Sequence, residues 1–563
     1  MPRDVCFVLV LVLALAASVV SARPADFLMS DKARDPAQYV RDGIDTYVAG
    51  GDISKIALFT ASELGVSVTN ADSRAEIERN RKILAREGER AMKAGLSLCV
   101  GTDEAKYPVD VWNHLKRVAP DPNQRGRVDF ASEKFWEFHR AKYREIMRTL
   151  PPCVQYVMVR TGENYPDAVK GFSGQTVAVR GRRGPETAYA RDMARFINET
   201  RRVVVDEFGK TLIWRTWDLG NEGFHADTNV YARVMAGVTN HVGLVMAIKF
   251  VQTDYWSYND FNPCIELDAA KKLIEFQSCR EYEGKSVYPN WVGRLHGAAL
   301  KRLATNPCIV GTWLWGDHAG GSGGPFSQTD VWQRLNYETS LTLIRHPEWE
   351  PDQVLRDWCA ARFGTAAADT VAAALSRSHE TVEKMLYVGV FACAHKGWKP
   401  HLNITRDDSI GGGKNHEMDT IYVEVKGRLV DVFREKDEAV AEARAMRERF
   451  ESARAAIVSA KGEDCYQTSL TGFIYLERLA QVFQTYIKGY FLFCRWRDDR
   501  TEFNRQAART AIAEWRAAWE SYQREIPRLP AAPTPYQSCH DSRTPDGGMA
   551  DVMEKAAAEI NSK

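Results

Sequence analysis

A dense group of charged and aromatic residues follows the apolar run Leu273–Phe276, and its members are Arg280, Glu281, Tyr282, Glu283 and Lys285. Side chains of these types can exchange protons, bind a carboxylate and stack on a sugar ring. A (β/α)8 barrel builds its active site from residues placed in this way, at the carboxyl ends of its strands. The segment therefore predicts one part of an active site that acts on glycans.

Similar residues follow the other predicted strands, and they include Asp103, Glu104, Lys106, Arg160, Glu163, Asp218, Glu222, Asp254, Trp256, Trp315 and Asp317. Any one of these acids is explained as well by a loop cap or a solvated charge, but their repeated placement is not. Glycoside hydrolysis needs a protonated carboxylic acid at the leaving oxygen and an ionised carboxylate on the other face of the ring. Carboxylates that follow different strands at one rim can supply both.

The elements that must position these residues alternate between strand and helix. Predicted strands are Ile56–Phe59, Leu96–Val100, Val154–Val159, Leu212–Trp217, Val245–Val251, Leu273–Phe276 and Ile309–Leu314. Predicted helices between them are Arg74–Ala94, Ser132–Leu150, Glu186–Phe208, Trp291–Leu303 and Trp332–Arg345. This alternation predicts parallel pairing and a (β/α)8 TIM barrel over residues 23–348, with one strand still unassigned. An open doubly wound sheet is the rival, weakened because no Gly-x-Gly-x-x-Gly follows the first strand.

The composition changes after residue 348. Ala, Arg and Glu recur at helical spacing over Asp419–Val458 and Arg505–Glu525, which predicts a mostly α-helical C-terminal domain over residues 349–563. The stretch Lys396–Met418, with three consecutive glycines, predicts a long loop. Exposed aromatic residues on this domain would be compatible with a homodimer.

Residues 1–22 have the pattern of a secretory signal peptide, with Arg3, the apolar run Val5–Val20 and small residues ending at Ala22. The apolar core is short for a membrane span, so we expect a secreted protein, extracellular or periplasmic, without membrane contact after cleavage. The 75 Lys and Arg residues balance 74 Asp and Glu residues, which argues against nucleic acid as a partner. An anionic substrate must therefore be met by local charges.

Cofactor and metal motifs are absent from the sequence. No His-Glu-x-x-His pattern is present, and the glycine-rich stretch Gly316–Gly324 lacks the ending of a phosphate loop. We expect no metal and no cofactor. Among the cysteines, Cys264, Cys279 and Cys308 could form a disulfide in an exported protein, and free thiols are equally consistent with the sequence.

Four short motifs, in the same order, resemble the family 67 α-glucuronidases: Thr161-Gly162-Glu163, Trp214-Arg215, Thr253-Asp254 and Arg280–Gly284. Those enzymes are inverting hydrolases that remove glucuronic or 4-O-methylglucuronic acid from xylo-oligosaccharides. The resemblance implies that Glu163 is the general acid and that Asp254 and Glu281 activate water. Lys285 stands where that family has Gln, so the glycan itself can differ.

The remaining site residues are assigned by chemistry. Arg160, Arg215 and Lys285 are candidates for binding a uronate carboxylate, the alternative being a salt bridge to a rim acid. Trp217, Trp256, Tyr282 and Trp315 are candidates for stacking on sugar rings, the alternative being packing at the barrel end. The expected substrate is an oligosaccharide or polysaccharide that carries uronic acid.

Other functions stay open at this point. Asn221-Glu222 resembles the Asn-Glu pair of many retaining barrel glycosidases, in which Glu222 would be the acid and Glu281 the nucleophile. Otherwise Glu222 is a substrate ligand or a structural charge. A non-catalytic glycan-binding barrel is a second alternative, and a lyase that uses Tyr282 and His318 is a third.

Overall fold

A strongly curved parallel sheet forms the centre of the first domain in the computed structural model. The structure describes residues 27–31, 35–49, 59–161, 169–175, 186–217, 223–252, 255–257, 259–280, 283–315, 331–389, 391–392, 404–405, 415–416, 418–530 and 549–562. In chain order the strands of this domain are β1 (Phe27–Asp31), β2 (Thr46–Val48), β3 (Ser97–Asp103), β4 (Lys106–Pro108), β5 (Val154–Arg160), β6 (Phe172–Gly174), β7 (Thr211–Arg215), β8 (Leu244–Lys249), β9 (Lys271–Gln277) and β10 (Ile309–Trp315). Strands β4 and β6 form a separate antiparallel pair.

Seven of these strands pair side by side in the order β10-β9-β8-β7-β5-β3-β2, and all run parallel. The short strand β1 pairs with both edges of this sheet, four residues against β10 and three against β2. Because all eight strands point the same way, their carboxyl ends meet at one rim. The domain is therefore a barrel-like α/β domain.

Helices connect the strands. They are α1 (Pro36–Arg41), α2 (Ala71–Ala94), α3 (Val109–Val118), α4 (Glu133–Thr149), α5 (Glu186–Arg201), α6 (Thr228–Ala236), α7 (Gly293–Leu303) and α8 (Val331–Arg345), with a π-helical turn at Arg202–Glu207 and 3-10 turns at Ser62–Leu64, Pro263–Glu266 and Gly284–Ser286. Helix α2 begins where Asn70 accepts a hydrogen bond from the Ser73 amide at 2.9 Å, and it ends at Gly95, whose φ is +71°. Between β8 and β9 the described residues contain a 3-10 turn and no α-helix, so the repeat is irregular there.

The rest of the chain is mostly helical. Its helices are α9 (Pro351–Phe363), α10 (Thr365–Leu375), α11 (Ser378–Leu386), α12 (Met418–Val425), α13 (Leu429–Ser452), α14 (Arg454–Lys461), α15 (Glu463–Asp498), α16 (Glu502–Glu525) and α17 (Met549–Ser562), with 3-10 turns at Lys426–Arg428 and Ile526–Arg528. Four two-residue strands, β11 (Tyr387–Val388), β12 (Phe391–Ala392), β13 (Ile404–Thr405) and β14 (Asn415–His416), form an antiparallel sheet between α11 and α12.

The predicted architecture is confirmed as a barrel-like α/β domain followed by helices. The sequence analysis did not identify β1 or β2. The predicted strand Ile56–Phe59 lies outside the described residues except for Phe59, which is buried and not in a strand. The predicted loop Lys396–Met418 was wrong in part, because β13 and β14 fall within it.

Two sequence-based expectations concern the signal and the cysteines. The predicted signal peptide lies outside the described residues, and none of the helices that the structure describes is both long and apolar enough to cross a bilayer. Cys264, Cys279 and Cys308 are free thiols, so the pairing suggested by their positions is not formed.

Two large hydrophobic cores organise the molecule. One packs the strands of the barrel domain against its helices, while a smaller cluster that includes Met158, Ile213 and Trp313 lies on the other face of the strands. The second large core lies mainly among the C-terminal helices but also includes Trp256, Tyr288, Trp291 and Trp332 from the barrel domain. The two parts pack tightly at Gly472 of α15, where a Cβ atom would lie 1.9 Å from Nε1 of Trp332. The helices and the barrel domain are thus packed together without room for one additional methyl group at this point.

We expect the Gly472→Ala substitution to lower the free energy of unfolding. Alanine favours a helix over glycine by about 1 kcal/mol, but overpacking a buried rigid indole costs about 1–3 kcal/mol or more, so the net loss should be about 1–2 kcal/mol. Urea unfolding followed by circular dichroism measures it. The matched control is Gly427→Ala, where an added Cβ meets nothing within 4 Å. Equal stability of the two variants would contradict the prediction.

Candidate functional site

Polar and aromatic residues end six neighbouring strands of the parallel sheet: Asp103 on β3, Arg160 on β5, Arg215 on β7, Lys249 on β8, Gln277 on β9 and Trp315 on β10. The strand register sets Arg160 between Asp103 and Arg215. Because the strands are parallel, these six positions belong to one rim. The rim therefore carries the kind of residues that the sequence predicts for an active site.

Asp103 is the centre of a buried cluster at this rim. Its carboxylate accepts hydrogen bonds from Nζ of Lys106 and from Nε of Arg160, each at 3.0 Å. Asp103 is fully buried, whereas the Arg160 side chain is 13% exposed. Within the described part of the chain Arg160 donates through Nε alone. Asp103 thus holds one edge of the guanidinium, and Arg160 can present its Nη groups to a ligand.

Lys142 of α4 supports this cluster from behind. Its Nζ donates to the backbone carbonyls of Asp103 at 2.9 Å and Glu104 at 3.3 Å. Burial lowers the pKa of Lys142 to about 7, against the opposing attraction of Asp103 and Glu104. The lysine therefore fixes the chain where β3 ends.

Arg215 forms a two-pronged ion pair with Glu275 on β9. Nε lies 2.9 Å from Oε1 and Nη2 lies 3.0 Å from Oε2, and the side chains are 3% and 0% exposed. The guanidinium also lies 4.8 Å from the centre of the Trp315 ring. This is the salt bridge that the sequence analysis gave as the alternative to a uronate ligand. The signal for it was Glu275 itself, since a carboxylate inside an apolar strand needs a buried partner.

The aromatic candidates differ in their exposure and in the contacts that their rings already make. Nζ of Lys249 lies 3.3 Å from the centre of the Trp217 ring, so an ammonium group covers one face of this buried indole. Trp256 is also buried, and its ring meets Tyr387 edge-on at 6.3 Å in the second hydrophobic core. Trp315 is partly exposed at the rim. Of these three, Trp315 is best placed to contact a ligand.

The predicted catalytic residues Glu163, Asp254 and Glu281 lie outside the described residues, as do Glu222 and Tyr282. Lys285 lies in the 3-10 turn Gly284–Ser286, and its side chain is outside them as well.

Three of these residues follow closely in sequence after strands that the structure describes. Glu163 follows the end of β5 by three residues, Asp254 follows the end of β8 by five and Glu281 follows the end of β9 by four. Thr161, just before the segment of Glu163, donates from Oγ1 to the carbonyl of Arg215 at 3.0 Å. All three acids thus follow strands of the polar rim.

Arg280 and Glu283, the described residues on either side of Glu281 and Tyr282, form a buried ion pair. Nε of Arg280 lies 2.9 Å from Oε2 of Glu283, and Nη2 makes a second bond to the same oxygen. Burial opposes ionisation of Glu283, but Arg280 and further hydrogen bonds outweigh it and lower the pKa of Glu283 to about 2. The sequence analysis named both residues but did not predict that they form an ion pair.

Throughout the described ranges, no group of three or more His, Cys, Asp or Glu residues is placed to hold a metal ion.

Solved structures share the fold of the barrel-like domain and its helices. A GH138 enzyme that targets pectin rhamnogalacturonan II superposes with a TM-score of 0.60 and 10% sequence identity, over 96% of this chain and 83% of that chain. A GH115 4-O-methyl-α-glucuronidase with specificity for decorated arabinogalactans gives a TM-score of 0.43 and 10% identity, over 92% of this chain and 64% of that chain. CpGH84B gives a TM-score of 0.36 at 8% identity, over 95% and 77%.

Sequence comparisons add no family assignment. Neither the protein-family models nor the curated proteins give a match to this chain. The likeness to the GH138 enzyme rests on the fold and does not single out family 67.

Proposed function

We propose that the protein is a secreted glycoside hydrolase, built on a complete (β/α)8 barrel, that removes an α-linked uronic acid from a glycan with inversion of configuration. The observation that carries the proposal is the superposition of nearly the whole chain, barrel and helices together, on the GH138 enzyme at a TM-score of 0.60. The polar rim supports it from within this chain.

The roles of the three acids follow from inversion. Glu163 protonates the leaving oxygen, while Asp254 and Glu281 activate a water on the opposite face of the sugar. Inverting enzymes hold acid and base about 6.5–9.5 Å apart, which strands across a rim provide more easily than one loop does. Two neighbouring carboxylates resist ionising together, and Lys285, four residues after Glu281 in the chain, is the basic residue that we propose favours the ionised pair.

One basic side chain at the rim supports an anionic sugar. Among the described residues, Lys106 is buried against Asp103 and Arg215 against Glu275, whereas Arg160 pairs with Asp103 through one nitrogen and is partly exposed. Arg160 is the best-placed ligand for a uronate, because one edge of its guanidinium is fixed by Asp103 and the side chain reaches the surface. We propose (4-O-methyl)glucuronic acid on plant or algal glycans, such as glucuronoxylan oligosaccharides, as the substrate class.

Proton NMR of the released sugar tests the proposal. The purified protein is incubated with glucuronoxylan oligosaccharides and, in parallel, with pectin rhamnogalacturonan II, and the first anomer of uronic acid is recorded. The β anomer is expected and indicates inversion. The α anomer would indicate retention and favour Glu222 as acid with Glu281 as nucleophile. Failure to release uronic acid from any uronic-acid glycan by folded protein would contradict the proposal and favour a glycan-binding barrel.

The role of Arg160 gives a separate prediction. We expect Arg160→Lys to raise KM for the uronic-acid substrate about 10–100-fold, because a lysine keeps the charge but loses the second parallel hydrogen bond to a carboxylate. Steady-state kinetics measure this change. The control is Arg144→Lys, which makes the same substitution in a two-pronged pair with Glu207 outside the rim and should leave KM unchanged. An unchanged KM in Arg160→Lys would remove Arg160 from the uronate site.

A further inference from the structure

The first residue after helix α11 reaches the loop that follows β9. Tyr387 donates from its hydroxyl to Oε1 of Glu283 at 2.6 Å, and the same hydroxyl accepts a hydrogen bond from the Ser257 amide at 3.1 Å. The Ser257 amide also lies 3.0 Å from Oε1 of Glu283. Ser257 follows β8 and Glu283 follows β9, so one phenol from the helical part of the chain joins two loops of the barrel rim.

His379 of the same helix makes a second connection. Its Nδ1 lies 2.8 Å from Oδ1 of Asn290, and Nδ2 of Asn290 donates to the backbone carbonyl of Glu283 at 3.3 Å. On the other side of the ring, Nε2 lies 3.4 Å from Oγ of Ser257. His379 of α11 and Tyr387, the residue after this helix, therefore contact both loops. Tyr387 is buried, and the His379 side chain is 17% exposed.

The conformation held in this way is an unfavourable one. Arg280 has a φ of +52°, which is uncommon for any residue with a side chain. Gly284 has a φ of +86°, and a Cβ atom there would lie 2.1 Å from the ring of Tyr288. Backbone of this kind persists only where the surroundings over-determine it. Here the surroundings are the ion pair of Arg280 with Glu283 and the hydrogen bonds that Glu283 receives from Ser257 and Tyr387.

We propose that Tyr387 and His379 are positioning residues for the active site, which hold the Arg280–Glu283 pair and thereby the segment that carries Glu281. The role of Glu281 rests on the proposed function, whereas the connection between helix and loops rests on the contacts above. The helical part of the chain is then a required component of the site. Since Glu281 acts on water and not on the sugar ring, its displacement should lower kcat and leave KM nearly constant.

The test compares Tyr387→Phe with a matched control, Tyr490→Phe. Tyr490 also donates to a carboxylate, that of Asp419 at 2.8 Å, but this carboxylate is partly exposed and both residues belong to the C-terminal helices. We expect Tyr387→Phe to lower kcat about 10–100-fold, because a small displacement of a catalytic group reduces the rate by about this much. KM should stay within about threefold of the unmodified protein. Tyr490→Phe should keep kcat within about twofold of the unmodified protein.

Hydrogen exchange supplies a readout that needs no activity. The amides of Ser278, Glu283 and Val287 donate to backbone carbonyls within or beside the loop after β9. We expect exchange in peptides covering residues 278–287 to accelerate in Tyr387→Phe and to remain unchanged in Tyr490→Phe. A protein without glycosidase activity would refute the proposed function, yet the exchange comparison would still test the connection.

Two results would overturn the inference. One is a Tyr387→Phe variant whose exchange and kcat match those of Tyr490→Phe. The other is faster exchange with an unchanged kcat, since the loop would then move without consequence for the reaction. If Tyr387→Phe does not fold, His379→Gln is measured in the same two ways, and the same outcomes decide.

Discussion

The Glu163→Gln variant will lose about two to four orders of magnitude in kcat while keeping its fold, because general acid catalysis contributes roughly that much. Glutamine matches glutamate in size but has no proton to give to the leaving oxygen. The loss should shrink on a synthetic uronide whose leaving group is an acidic phenol, since such a group departs without protonation. Kinetics on both substrates, with circular dichroism as the check on folding, measure the effect.

Glu222→Gln is the matched control for this result. Both glutamates follow strands of the rim, β5 and β7, and both substitutions replace a carboxyl group by an amide. Under the inverting mechanism Glu222→Gln keeps most of its kcat on the acidic phenol substrate and on the natural one alike, and a higher KM would indicate that Glu222 is a substrate ligand. A nearly normal Glu163→Gln beside an inactive Glu222→Gln would transfer the acid to Glu222 and indicate a retaining enzyme.

The Glu275→Ala variant will lose about 3–5 kcal/mol in free energy of unfolding, because it leaves the Arg215 guanidinium buried without its partner. Burial of the pair is nearly complete, and both nitrogens that face Glu275 donate to it. A buried guanidinium that loses this carboxylate cannot recover its hydration. Urea unfolding gives the change directly.

Two controls separate burial from charge pairing as such. Glu266→Ala breaks a pair of the same two-pronged geometry with Arg302, at 2.7 Å for both bonds, but those side chains are 46% and 50% exposed. It should cost about 0–1 kcal/mol. The double variant Arg215→Met/Glu275→Leu should recover most of the loss, because replacing both members of a buried pair by apolar groups is often neutral. A Glu275→Ala variant as stable as Glu266→Ala would contradict the argument.

The sequence predicted the elements that have strong local patterns. Runs such as Val154–Val159 and Leu273–Phe276 combine apolar character with β-branched residues, and each lies in a strand of the sheet. Strand β2 has only three residues, and β1, Phe-Leu-Met-Ser-Asp, contains no β-branched residue, so neither has a clear strand pattern. Their membership in the sheet comes from tertiary pairing, which local patterns do not encode.

The candidate site, like the sheet, could be predicted only in part from local sequence patterns. The position of Arg215 at a strand end could be predicted from the sequence, but its partner could not, because the pair depends on the register across β7, β8 and β9. The contact of Tyr387 with Glu283 joins residues 104 positions apart. The sequence indicates which residue types can do chemistry, whereas the choice between ligand and salt bridge is made by distant parts of the chain.

The pairing of β1 has a consequence for the order of folding. Phe27 pairs with Gly311 and Met29 with Thr46, so the first strand needs one partner that is near in sequence and one that is nearly the last in the domain. During synthesis β1 and β2 are available early, but β1 has an unpaired edge until β10 has left the ribosome. Contacts between residues far apart in sequence form slowly, since the entropy cost of closing a long loop comes before the contact gives any stabilisation. The pairing of β1 with β10 should therefore be a late step in folding, and an exposed β1 edge is the part of the nascent chain most in need of protection.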